Sequence, residues 1–103
     1  MIADKIRAHL KTADLRRVSI VSVAHAIHMH ETTVRRKLVR EGVSYIELLD
    51  AERRRRCQEL LGRNPRADVP AMAKVTGYSG RASITRAMHR WFGVTLWDYR
   101  RAA

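Results

Sequence analysis

Two stretches of this chain repeat each other at an almost constant offset. Ser19, Val23 and Ala24 recur as Asp68, Met72 and Ala73, an offset of 49. Thr33, Val34, Arg36 and Leu38 recur as Ser83, Ile84, Arg86 and Met88, an offset of 50. Gly42-Val43-Ser44 recurs as Gly93-Val94-Thr95, an offset of 51. The drift is one residue in each of two turns, where surface connections tolerate insertion. A chain of 103 residues can bury one modest core or two small ones, and the repeat favours two.

Strand signals are weak, and most segments carry helical period. Ile2, Ile6 and Leu10 fall four apart on one face of a first helix, followed by a polar connection over residues 12–18. Ser19 is placed to cap a second helix with Ile20, Val23, Ala24 and Ile27 inward, and His28-Met29-His30 interrupts it. Residues 31–40 predict a third helix. Val34 and Leu38 point inward, Arg35, Arg36, Lys37 and Arg40 outward, and Gly42 ends it in a left-handed turn. Ser44 caps a fourth helix reaching about Leu61, with Ile46, Leu49, Cys57, Leu60 and Leu61 as its apolar positions and Gly62, Asn64 and Pro65 as its stop. Asp68 caps a fifth, with Pro70 in its first turn and Val69, Met72 and Ala73 inward. After the turn Gly77-Tyr78-Ser79, a sixth helix runs from about Gly80 to Trp91 with Ile84, Ala87, Met88 and Trp91 inward, closed by Phe92-Gly93. Thr95 begins a short last helix carrying Trp97 and Tyr99, and residues 100–103 read as a fraying tail.

Each copy therefore reads as cap, short amphipathic helix, tight turn, and a second helix with arginines on its outer face. That is the layout of a helix-turn-helix, whose second helix enters the DNA major groove. The expected architecture is all-α, with seven helices: a first subdomain over residues 1–43, a linker helix over 44–61 and a second subdomain over 62–103. At 1.5 Å per residue the linker is a rod of about 27 Å. Successive major-groove faces on one side of B-DNA lie about 34 Å apart, so such a rod suits two recognition helices in neighbouring grooves. Lys and Arg number 21 against 10 Asp and Glu, a formal charge of +11, and an apolar fraction of 46% places that charge on a folded body. The partner implied is a polyanion.

At this point the residues resemble the DNA-binding domain of AraC/XylS-type transcription regulators. The similar stretches are Ser19-Ile20-Val21-Ser22-Val23-Ala24, Thr33-Val34-Arg35-Arg36-Lys37-Leu38 with Arg40-Glu41-Gly42, and Gly77-Tyr78-Ser79. The most specific is Ser83-Ile84-Thr85-Arg86-Ala87-Met88-His89-Arg90-Trp91-Phe92-Gly93, followed by Tyr99-Arg100. The resemblance spans residues 4–101. It implies a homeodomain-like domain of two modules that binds asymmetric double-stranded DNA sites, usually within a bacterial, cytoplasmic transcription activator. It also implies RNA polymerase as a further partner, and a ligand-sensing or dimerising domain outside these residues. His28 stands where the family usually has Gly, and His30 where a Ser-like cap is usual. Ile84 and Met88 replace commoner Phe residues, Leu96 a Pro, and Arg56 an apolar residue.

Base-reading side chains come from the N-terminal outer face of a recognition helix. In the first module these are Thr32, Arg35 and Arg36. Arg36 is the strongest candidate, since Arg grips guanine O6 and N7 with two hydrogen bonds; a phosphate contact or a solvated charge is the competing reading. In the second module the face offers Arg81, Ala82, Thr85 and Arg86. Arg86 matches a family base-contact or backbone-contact position. Ala82 suits a thymine methyl or is simply exposed. Thr33, Arg40, Ser83, His89 and Arg90 are candidates for phosphate contacts, which set register without reading sequence; Thr33 and Ser83 serve equally as packing residues.

Other clusters read as structural. Four consecutive arginines, Arg53 to Arg56, point in nearly all directions around a helix and cannot all face one partner. Asp50–Arg54, Glu52–Arg56 and Arg55–Glu59 stand at pairing distance along it. His25, His28 and His30 have no carboxylate or thiol at zinc spacing, so no metal or cofactor is expected. Trp91, Phe92, Trp97 and Tyr99 read as core and staple residues of the last module. Cys57, the single cysteine, reads as a buried apolar residue. No apolar run approaches a membrane span, and residues 1–10 carry too many charges for a signal peptide. No nucleophile–base pair, phosphate-cradling Gly loop or paired acids stand at a meaningful spacing, so an enzyme is not expected. A basic RNA-binding or ribosome-associated protein is the alternative that charge allows, but it lacks an aromatic strand or GXXG loop and leaves the repeat unexplained.

Overall fold

The helical period read from the sequence is realised as seven helices in a computed structural model, which describes residues 1–102. They are α1 (Ile2–Leu10), α2 (Ile20–Ala26), α3 (Glu31–Glu41), α4 (Tyr45–Arg63), α5 (Val69–Thr76), α6 (Gly80–Phe92) and α7 (Leu96–Ala102), with no strand among the described residues. The chain divides into two units, residues 1–52 and the residues from Arg53 onward, so α4 contributes its first part to one and its second to the other. Each unit has its own core.

In the first unit α1, α2 and α3 pack on one another. Ile6, Leu10, Val23 and Val34 are fully buried, with Ile2, Ala3, Ile20, Ala24, Leu38 and Leu48 around them. The connection before α2 is not merely polar, because Leu15 drops into this core and is 2% exposed. On α4, Ile46 is exposed and Leu48 is buried. The inward seam of α4 is Tyr45, Leu48, Leu49 and Glu52, spaced i, i+3, i+4, i+7, and Ile46 lies off it.

The ends of these helices are satisfied by side chains, one of them far away in sequence. Met1 supplies no side-chain cap to α1. The Glu41 carboxylate does so instead, accepting from the Ile2 N–H at 2.9 Å and from the Ala3 N–H at 3.0 Å. A carboxylate here also complements the positive end of the helix dipole, and it ties the last turn of α3 to the first turn of α1. Ser19 and Ser22 form a reciprocal capping box at α2. The turn to α3 uses His28 at φ 59°, the one non-glycine residue in the left-handed region among those described. The Met29 N–H then donates to the Ala24 carbonyl at 2.9 Å. His30 caps α3, its Nδ1 accepting from the Thr32 N–H at 3.1 Å. His28 and His30 thus perform the jobs of the Gly and Ser they replace.

In the second unit α5 packs on α6, around Cys57, Leu61, Ala67, Met72, Ile84, Ala87, Met88 and Trp91. Gly62 does not stop α4, which continues to Arg63. A lone Gly weakens a helix without breaking it, whereas Pro65 disfavours helical backbone at Asn64. Asp68 caps α5 by accepting from the Ala71 N–H at 2.9 Å, and Gly77 at φ 83° ends it, a conformation open to Gly at no steric cost. Thr76 is fully buried. Its hydroxyl donates to the Met72 carbonyl at 2.8 Å and accepts from the Tyr78 N–H at 3.3 Å, locking the turn. Two aromatic and tail expectations change. Trp97 is 65% exposed rather than core. Residues 100–102 continue α7 rather than fray, and the Arg100 guanidinium donates to the Ala67 carbonyl; Ala103 lies outside the described residues.

Glu41→Ala leaves two amides at the start of α1 without their acceptor and lowers unfolding free energy by about 1–2 kcal/mol in a urea titration. His30→Ala costs about 1 kcal/mol and His30→Asp restores it, while His28→Gly gains up to about 1 kcal/mol by relieving the left-handed backbone. Burial pushes the Cys57 thiol from 9.0 up to about 11. The neutral thiol is the form the fold favours, so its contribution is complete below pH 9 and is lost as pH rises from 9 towards 11. Native protein at pH 8 therefore resists iodoacetamide, and modification requires unfolding; rapid alkylation of the folded protein would contradict this burial.

Candidate nucleic-acid interface

A helix that buries one stripe must present the opposite arc to solvent. In α3 the buried stripe is Val34 and Leu38. At 100° per residue, Arg36 lies about 180° from it, flanked by Thr32 and Arg40. Thr32, Arg35, Arg36, Lys37 and Arg40 are all exposed, and Thr33 is half-buried. Arg35 sits 3.7 Å from Glu31, one turn back. Arg36 projects from the middle of the arc.

The second recognition helix repeats the arrangement. Ile84, Ala87, Met88 and Trp91 are buried, so Ala82, Arg86 and His89 occupy the far side, with Arg86 about 150° from the buried stripe. Arg81, Ala82, Thr85, Arg86, His89 and Arg90 are exposed and Ser83 is half-buried. The Arg86 Nη2 donates to Ser83 Oγ at 3.4 Å, which holds the guanidinium against the first turn. Arg90 is more firmly placed. Its Nη2 donates to the Tyr78 hydroxyl at 2.9 Å, and its guanidinium lies 5.5 Å from the Trp91 ring. Tyr78 in turn carries the Arg53 guanidinium 4.4 Å from its ring centroid and stands 6.1 Å from Trp91. Each unit thus exposes most of its own candidates: Thr32, Arg35, Arg36 and Arg40 in the first, Arg81, Ala82, Thr85, Arg86, His89 and Arg90 in the second, with Thr33 and Ser83 half-buried beside them.

The arginine run on α4 behaves differently. Arg53 stacks on Tyr78, Arg54 lies 5.4 Å from the Phe92 centroid, and Arg55 pairs with Glu59 at 2.8 Å. At least three of the four side chains are therefore engaged inside their own unit. Sequence reasoning missed Val39, which is 79% exposed on the α3 outer arc. Its signal was available: position 39 falls one residue past the inward Leu38, beside Arg35 and Arg36. It also missed the grip of Tyr78 on Arg90, which joins a turn to a helix 12 residues on. Among the described residues no three His, Cys, Asp or Glu side chains are grouped so as to hold a metal ion, and no helix is long and apolar enough to cross a membrane.

Known proteins share both the sequence pattern and the fold. The sequence profile of the family described as "Helix-turn-helix domain" matches residues 23–102. The HTH-type transcriptional regulator VqsM of Pseudomonas aeruginosa is 37% identical over 82 residues, covering 80% of this chain and 25% of that protein. The HTH-type transcriptional regulator VirS of Mycobacterium tuberculosis is 33% identical over 82 residues, covering 80% and 24%. Among solved structures, the transcriptional regulator CdpR of Pseudomonas aeruginosa superposes with a TM-score of 0.73 at 38% identity, covering 82% of this chain and 26% of that one. The C-terminal domain of AraT, a response regulator from Geobacillus stearothermophilus, superposes with a TM-score of 0.84 over 99% of this chain and 85% of that one; its 24% identity speaks to the fold alone. The chain spans about a quarter of the length of the curated relatives it matches. With two helix-turn-helix units, an all-α fold and these relatives, the chain belongs to the AraC/XylS-type helix-turn-helix family of transcription regulators.

Proposed function

We propose that this chain is the sequence-specific double-stranded DNA-binding part of a transcription regulator, with α3 and α6 entering successive major grooves. The observation that carries the reading is the matched pair of recognition helices, each with an arginine at the same repeat position, Arg36 and Arg86, opposite its buried stripe. Thr32, Arg35, Arg36, Arg81, Ala82, Thr85 and Arg86 are assigned to bases. Thr33, Arg40, Ser83, His89 and Arg90 are assigned to phosphates. Arg90, braced by Tyr78, suits a fixed backbone contact more than a base contact, because a preplaced guanidinium marks register on the duplex. The net charge of +11 supports strong non-specific attraction to DNA with a steep salt dependence. A cytoplasmic location, contact with RNA polymerase, and a ligand-sensing or dimerising domain elsewhere in the regulator complete the reading; no catalytic role is part of it.

The test starts from a site selected from random duplexes. At physiological salt the protein binds that site far more tightly than scrambled DNA or structured RNA, and equal affinity for all three would overturn the reading. Arg36→Ala and Arg86→Ala each lose about 1–3 kcal/mol on the selected site, roughly 5- to 150-fold in Kd, and relax specificity at separate base pairs. A loss equal on every sequence reassigns them to phosphates. Inserting about half a helical turn of DNA between the two half-sites of the selected duplex removes most of the specific affinity.

A further inference from the structure

The second unit holds another concentration of positive charge, and it belongs to neither recognition helix. Pro65, Arg66, Trp97, Arg100 and Arg101 line a cleft of about 570 Å³, none of them acidic. They come from the α4–α5 connection and from α7. Arg100 is held in place by its bond to the Ala67 carbonyl, and its Nε is buried with no hydrogen-bond partner. The Arg101 guanidinium lies 4.3 Å from the Trp97 ring centroid and 3.7 Å from Asp98. Arg66 is exposed. Trp97 is 65% exposed, although burying an indole is among the most favourable steps open to a small domain.

Three guanidiniums around one hollow repel one another, and an anion in the hollow relieves that repulsion. Guanidinium forks match phosphoryl oxygens in pairs. An open aromatic ring beside them takes the planar base or the sugar of the same unit by stacking. We propose that this cleft is a nucleotide-phosphate site: Arg66 and Arg101 grip a phosphoryl group, Arg100 supplies a fixed positive wall, and Trp97 packs against the attached base or sugar. The phosphate comes from a free nucleotide or from a nucleic-acid strand. The inference stands on the charge and shape of this unit and is independent of which residues read the major groove.

Trp91 is buried and Trp97 is open, so emission accessible to a soluble quencher reports Trp97. The protein is titrated separately with ATP, with sodium pyrophosphate and with a short duplex of unrelated sequence, at fixed ionic strength. The expected result is a saturable change in this emission in at least one titration, absent with sodium chloride and absent in W97F. In R66Q/R101Q its midpoint moves by about tenfold or more. A response to ATP identifies a free nucleotide, a response to the duplex alone identifies a strand, and a response to pyrophosphate alone overturns the base or sugar contact given to Trp97. R66Q by itself keeps the Arg101–Trp97 stack and serves if the double variant melts early. No saturable change in any titration, or a change that loss of Arg66 leaves unaltered, overturns the proposal. In the Arg36→Ala and Arg86→Ala variants the Trp97 response still depends on Arg66, whatever happens to site selection, so the two readings fail separately.

Discussion

A recognition helix depends on the stripe it buries. Helices of 11 and 13 residues, the lengths of α3 and α6, are marginal in water on their own, and tertiary packing of one face supplies most of their stability. Val34 and Leu38 do this for α3, and Ile84, Ala87, Met88 and Trp91 for α6. Burying that stripe also fixes the rotation of the helix about its axis. Once Val34 and Leu38 are inward, Arg36 has no direction left but outward. The arginine arc is a by-product of the core, and its rigidity is inherited from the core. Rigid presentation matters because a bidentate contact to a base edge tolerates little positional error.

The two units solve the same local problem with different chemistry. Both need a cap on the first helix and a left-handed residue after it. The first uses the Ser19–Ser22 capping box and His28 at φ 59°. The second uses Asp68 and Gly77 at φ 83°. A histidine in the left-handed region carries strain that Gly77 does not. The first turn then recovers stability from the His30 side chain on the Thr32 N–H, whereas Ser79, in the same place before α6, makes no side-chain cap bond. The second turn instead gains the Thr76 hydroxyl, which bridges the end of α5 to Tyr78. Both turns place a left-handed residue after the first helix, and the interactions that hold it are exchanged.

What was legible in the sequence is what repeats at helical period or sits at a cap. The order of the helices, the caps Ser19 and Asp68 and the inward pairs all follow from spacing along one chain segment. What was not legible depends on distant partners. Glu41 reads as the polar end of α3, and only the fold brings it to Ile2 and Ala3, nearly 40 positions back. Leu15 sits in a stretch rich in charge, so no periodicity marks it for the core. Ile46 and Leu48 exchange roles because α4 begins at Tyr45 and its seam is set by what α1–α3 leave uncovered. Side-chain type alone reads Trp97 as inward, and type does not determine exposure on a helix of seven residues.

Charge in this chain is divided by what holds it. Arg53 and Arg54 lie over aromatic rings and Arg55 over a carboxylate, so the densest basic run in the sequence is largely occupied by its own unit. Guanidinium stems packed on rings contribute through contact as much as through charge. Arg36 and Arg86 face outward instead, with only the Ser83 hydroxyl touching Arg86. A long-range attraction needs only the sum of the charges, and buried or stacked arginines serve it as well as free ones. Discrimination between sequences needs single arginines at fixed positions with unspent donors. The run on α4 braces its own unit, while Arg36 and Arg86 lie on helix faces that the two cores leave outward.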